Sequence, residues 1–333
     1  MNKVRLLALC AALFVPLSPG LASAAAVPHV IGHVPLHDGG WDILAVDGPT
    51  GRVLVSRSDG VDAFDTKTRT VIPRLISGSR FHGISTIPGT ELALATQAAG
   101  SAIIFNIRTG KVAGEVKTDQ DADATIYEPS TRTVWVMNGD SGTITIVDPI
   151  ALKSVATINL GSALEFAAID GRGHLFVNLT DKSEVAEIDI ASRKLLKSLP
   201  LAGCQHPTGL AYVKSGILIS ACANGAAKLI RAADGKILGD IPIGLRPDGA
   251  FVDDVRKRAY VPSGGDGTLT IIDTSGPLPR RIASIGTAIG ARTGALDPST
   301  GSIYLPSAKF APAAKPGGRP NIVPGSVELL IVR

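Results

Sequence analysis

The chain reads as a succession of short runs in which apolar and polar residues alternate, broken by Gly, Pro, Asn and Asp. A period of two between such breaks is the pattern of half-buried strands, and no helical period of useful length interrupts it. One stretch, residues 246–273 (RPDGAFVDDVRKRAYVPSGGDGTLTIID), predicts an inner strand from Asp248, a turn opened by Asp253 and a second strand at Ala259-Tyr260-Val261. A Gly-rich hairpin and a third strand follow. Asp42 with Asp47, Asp123 with Glu128, Glu165 with Asp170 and Arg292 with Asp297 occupy the same two places elsewhere. Gly83 and Thr208 start looser copies with shorter turns. The copies start at positions 42, 83, 123, 165, 208, 248 and 292, at spacings of 40 to 44. Several short strands per repeat at that period predict propeller blades.

Each of the first six copies carries its third strand into a polar turn and then a fourth strand, but the seventh stops at its third. The stretch before the first copy, residues 29–36 (HVIGHVPL), resembles the fourth strands elsewhere, such as residues 236–243 (KILGDIPI). An N-terminal strand that completes the last blade would close the ring and remove the open edges that invite aggregation. The expected fold class is therefore all-β, a seven-bladed propeller of four-stranded antiparallel blades, as a single domain over residues 25–333.

Residues 1–24 read as a cleaved signal peptide: Lys3 and Arg5, an apolar run from Leu6 to Val15, then Ala22-Ser23-Ala24. The run is too short to span a bilayer, which points to a periplasmic or secreted product with no membrane span. The formal charge of +4, less the charges of Lys3 and Arg5, leaves +2, too small an excess to argue for nucleic acid on charge alone. Removal of Cys10 with the leader leaves Cys204, just before the inner strand of the fifth copy, and Cys222, at the end of its second strand. Adjacent antiparallel strands bring those ends together, and in an oxidising compartment the pair predicts a disulfide.

Residues at equivalent inner-strand starts converge on the mouth of a propeller's central channel. They include Trp41, Asp42, His82, Asp123, Glu165, Asp248 and Arg292, with Arg80, His206 and Arg246 one or two places outside. This is an acidic, partly aromatic funnel. A long Pro-rich insertion, residues 309–325, is expected on the same face, as a stiff flap or a brace. No cofactor is implied outright, but a divalent metal has candidate ligands in His37, His82, His206, Asp121 and Asp123. No nucleophile elbow, His-Glu-x-x-His, Cys-x-x-Cys or phosphate loop is present. An acid/base pair of His82 with Glu165 or Asp248 is the catalytic option.

Residues 39–42 (GGWD), His82-Gly83-Ile84, Glu165-Phe166-Ala167, Cys204 with Pro207 and Cys222, residues 290–298 and residues 320–332 carry a resemblance to the YVTN-repeat β-propellers, in particular to their exported YncE-like branch. The resemblance implies the propeller fold and adds single-stranded DNA binding as a function to weigh, with Arg80, Arg246, Arg292 and Trp41 as its contacts. The reading carried furthest is an exported, non-catalytic propeller that binds a small ligand or an exported protein partner at the channel mouth. A metal-dependent lactonase- or lyase-like enzyme using the mouth His, Asp and Glu residues is the alternative, and single-stranded DNA binding the second.

Overall fold

The structure is a computed structural model that describes residues 27–313 and 320–333; the leader expected over residues 1–24 lies outside the described residues. The alternating runs form seven sheets of four antiparallel strands. The first blade illustrates the order from axis to rim: Trp41–Asp47, Arg52–Arg57, Gly60–Asp65 and Thr70–Ser77. The inner strands of the next four blades are Phe81–Thr86, Ala122–Glu128, Leu164–Ile169 and Pro207–Val213. Each inner strand packs against those of the blades on both sides, and that of the seventh returns to the first, so the sheets form a closed ring. This is an all-β, seven-bladed propeller.

The N-terminal strand closes it. Val30–Pro35 pairs antiparallel with Glu328–Val332, from Val30 opposite Val332 to Pro35 opposite Glu328. Its burial pattern matches that of the other outermost strands: mostly accessible, with one buried apolar residue next to last. Val34 holds that place here, as Val116, Ile158, Leu199 and Ile241 do in the second to fifth blades. Second and third strands are covered on both faces by neighbouring blades, hence runs such as Val134-Trp135-Val136-Met137 in which every side chain is buried.

The acid that opens the turn after the inner strand in five of the blades has a local role. Asp47 accepts from the Thr50 amide at 2.8 Å, Glu128 from the Thr131 amide at 2.7 Å and Asp253 from the Arg256 amide at 2.9 Å. These carboxylates replace backbone acceptors in tight turns, which explains their recurrence at one repeat position. Cys204 and Cys222 form the expected disulfide, with Cα atoms 5.3 Å apart.

Two details differ from the sequence overlay. In the second blade the register starts one residue earlier, because Phe81 takes the place of Trp41 and so His82, not Gly83, is equivalent to Asp42. In the sixth and seventh blades the inner strands shrink to Phe251–Asp253 and Ala295–Leu296. There Pro247 has no amide to donate, and the Gly249 amide donates across to the Arg292 carbonyl of the next blade at 3.0 Å. Asp248 and Arg292 consequently stand on loops.

Candidate functional site at the channel mouth

The side chains at the mouth are aimed by a repeated backbone defect. In the first five blades the pairing of inner and second strands shifts register just after the first residue: between Trp41 and Leu44, Phe81 and Ile84, Ala122 and Thr125, Leu164 and Ala167, and Pro207 and Leu210. Asp42, His82, Asp123, Glu165 and Thr208 sit inside these bulges, which bend the strand and re-aim the side chain. A bulge also frees carbonyls from the ladder, and adjoining blades satisfy them. The Thr293 hydroxyl donates to the Asp42 carbonyl at 2.8 Å, that of Thr96 to Asp123 at 2.9 Å, and the Asn178 amide to Thr208 at 2.8 Å. Asp42, Asp123 and Thr208 are thereby each locked to a second blade.

Two positions before the mouth residue the backbone turns left-handed in five blades: Arg80 (φ 50°), Asp121 (56°), His206 (46°), Arg246 (51°) and Gly290 (87°). A non-Gly residue costs on the order of 1 kcal/mol there. Glycine would meet the backbone requirement at less cost, so four side chains are kept against the local preference. Arg80, Asp121 and Arg246 line the mouth together with Asp42, His82, Asp123, Glu165, Asp248 and Arg292, around a cavity of about 500 Å³.

The charges in this cavity do not balance. Nδ1 of His82 lies 2.6 Å from Oδ2 of Asp42 and 3.8 Å from Oδ1 of Asp123, and Nε of Arg292 donates to Oδ2 of Asp248 at 2.9 Å. Burial first, then the charges of Asp42 and Glu165, push the Asp123 carboxyl well above its ordinary range. Glu165 is raised well above its own by burial and by Asp248 and Asp42. Burial pushes Asp248 up to about 6 although Arg292 opposes it. The hydrogen bond to Asp42 raises His82, and Asp248 raises Arg292. Asp123, Glu165 and Asp248 thus hold their protons longer, first because they are buried and then because neighbouring carboxylates face them. The outer ring nitrogen of His82, Nε2, is buried without a hydrogen-bond partner among the described residues.

Two residues expected at the mouth, His206 and Trp41, and the metal candidate His37 stand elsewhere. His206 is exposed and lines none of this cavity. Trp41 stands in an adjoining groove, its ring 6.3 Å from that of Phe310. His37 belongs to a cluster in the first blade, 3.2 Å from Asp59 and 3.1 Å from Asp62. Arg57, fully buried beside Asp62, gathers that cluster and donates to the carbonyls of His37, Gly39 and Gly40, fixing the loop that enters the inner strand at Trp41.

The metal set of the sequence reading is divided in the same way. His37 and His206 stand apart, and Asp121 shares the cavity with His82 and Asp123. Asp42, His82 and Asp123 offer ligand atoms within 4.8 Å of one another. One imidazole and two carboxylates form a donor set suited to zinc or another first-row divalent ion.

The insertion supplies the wall of the groove. Phe310–Ala311 pairs with Asn321–Ile322 as a small hairpin, and the Gly325 amide donates to Asp38 at 2.7 Å, tying the hairpin's base to the first blade. Its described part both braces that blade and stands beside the mouth. Arg80 and Arg246 were within reach of sequence reasoning through their fixed offset from the mouth residues. Phe310 and Ile289 were not, because they reach the groove from an insertion and from a loop, respectively, outside the repeat.

No family model and no curated protein sequence matches the chain. Solved structures do. The chain is similar to a chain of the Kuenenia stuttgartiensis hydrazine synthase, with a TM-score of 0.71 and 17% identity over 82% of this chain and 94% of that one. It is also similar to a chain in a crystal structure of the mitotic checkpoint complex, with a TM-score of 0.75 and 14% identity over 100% of this chain and 99% of that one. At such identities the likeness shows the fold, a seven-bladed β-propeller.

Proposed function

We propose that the chain is an exported, non-catalytic propeller of the YVTN-repeat, YncE-like kind, and that it binds a small cationic or hydroxylated ligand at the channel mouth. The observation that carries this reading is the charge imbalance: Asp42, Asp123, Glu165 and Asp248, from four different blades, share one cavity with His82 and Arg292 as close counter-ions. An ammonium group placed among them replaces protons as the compensating charge, so binding releases protons and tightens as pH rises through about 6. The Cys204–Cys222 disulfide suits an oxidising compartment and supports export. The same carboxylates repel a phosphodiester strand, which places single-stranded DNA behind the other readings.

The test is titration calorimetry of the oxidised protein with ethanolamine, glucose and a short oligonucleotide, each in two buffers of different ionisation enthalpy. Ethanolamine is expected to bind with proton release, more tightly at about pH 7.5 than at about pH 5, and Glu165→Gln to weaken it. Absence of amine binding at both pH values would sink the reading.

The trio Asp42, His82 and Asp123 favours a second reading, a divalent cation at the mouth serving lactonase- or lyase-like hydrolysis. Zinc would then raise the unfolding temperature, by about 2.7 kcal/mol of stabilisation at a hundred times its dissociation constant. His82→Ala would abolish that shift.

A further inference from the structure

Beside the acidic mouth lies a groove of different chemistry, about 450 Å³ in volume, walled by Ile289, Phe310 and Pro320. Ile289 is 61% exposed, a large aliphatic side chain left in water at the groove's edge. The floor is backbone. A Cβ on Gly264 would stand 2.8 Å from the Arg292 Cβ, and one on Gly290 only 2.6 Å from the Phe310 ring, so glycine at both positions lets floor and wall approach. Arg246 and Arg292 line the groove and also the mouth, and therefore mark the boundary between the two.

The two arginines are not equally engaged. Arg292 uses Nε on Asp248, and its side chain remains 52% exposed. The Arg246 guanidinium has no hydrogen bond or ion pair among the described residues, although its backbone is held left-handed to place it there. An unpaired guanidinium beside a half-engaged one suits a carboxylate, which accepts such forks in a plane.

Three kinds of chemistry thus meet at one boundary: carboxylates short of cations on the mouth side, two guanidinium groups between, and an apolar slot beyond. An α-amino acid carries their three complements on one carbon. We propose that the ligand is a free α-amino acid with a bulky apolar side chain. Its ammonium group faces Asp248 and Glu165, its carboxylate lies between Arg246 and Arg292, and its side chain occupies the slot beneath Phe310. This rests on the cation-binding reading given above and narrows its ligand. A peptide N-terminus would satisfy the mouth and slot but bring no adjacent carboxylate, and a small amine would satisfy the mouth alone.

Calorimetry of the oxidised mature chain at about pH 7.5 with leucine, leucinamide, N-acetylleucine and glycine separates these. Charged hydrogen bonds of this kind change affinity by about tenfold or more. Leucine is expected to bind at least that much tighter than leucinamide, which lacks the anion, than N-acetylleucine, which lacks the cation, and than glycine, which lacks the side chain. Arg246→Asn, whose side chain tolerates the left-handed backbone, should lower leucine to the level of leucinamide and leave leucinamide unchanged. Phe310→Ala should lower leucine toward glycine. If leucinamide binds as well as leucine, the amino-acid assignment fails while the cationic reading stands; if neither binds, both fail. Should Arg246→Asn not fold, as its unfolding transition would reveal, the wild-type ligand series and Phe310→Ala still decide.

Discussion

Asp123, Glu165 and Asp248 each hold a proton beyond the ordinary range of a carboxyl group, because burial and mutual repulsion outweigh the opposing charge of His82 or Arg292. A group whose folded value is raised stabilises the fold below its unfolded value and loses that contribution as pH rises through the folded one. For Asp248 the window runs from 3.8 to about 6, and His82, raised above 6.5, gives the same sign at higher pH. Surface acids held low, such as Asp65 and Asp234, act only below 3.8 and stay out of this window. The ligand-free protein should therefore unfold at a lower temperature at about pH 7.5 than at about pH 5, and Glu165→Gln with Asp248→Asn should flatten the slope. A midpoint that climbs over that range in calorimetry would contradict the account. Asp42, Asp123, Glu165 and Asp248 were legible as mouth residues because each recurs at one repeat position. Their shared charge deficit was not, because it depends on which carboxylates face one another across the channel.

At the scale of the element, the strands and the turn acids followed from the alternating pattern, and the bulges did not. A bulge at an inner-strand start looks like ordinary alternation until the partner strand fixes the register, and so His82 rather than Gly83 emerged as the second blade's mouth residue only from pairing. The shortened inner strands of the sixth and seventh blades share that origin: the Gly249 amide finds its acceptor on the next blade, not within its own sheet. The fifth blade has a covalent tie as well. The Cys204–Cys222 bond spans a sequence separation of 18. Restricting the unfolded chain over that length contributes about 3 kcal/mol, so Cys204→Ser with Cys222→Ser should lose about that much in urea unfolding. A loss near zero would mean that pairing within the blade already confines the segment.

At the scale of the whole molecule, the ring is closed by Val30–Pro35 lying on Glu328–Val332. Removal of residues 27–36 would leave that edge unpaired and uncover Leu329 and Ile331, which pack with Val34 in one cluster. The truncated chain is expected to lose its single sharp unfolding transition and to self-associate on size-exclusion chromatography; a monomer with an unchanged transition would refute closure as the source of cooperativity. The sequence by itself determined the blade number, the closing strand, the disulfide and most of the repeat positions that reach the mouth. All of these follow from local periodicity, and each blade buries its faces only against copies of itself. Only the tertiary structure decided that Arg246 and Arg292 stand between an acidic cavity and an apolar groove, that Phe310 walls that groove, and that His37 and His206 stand apart from His82. Those are contacts between blades and with an insertion, and no period within the chain encodes the distance between side chains on different repeats.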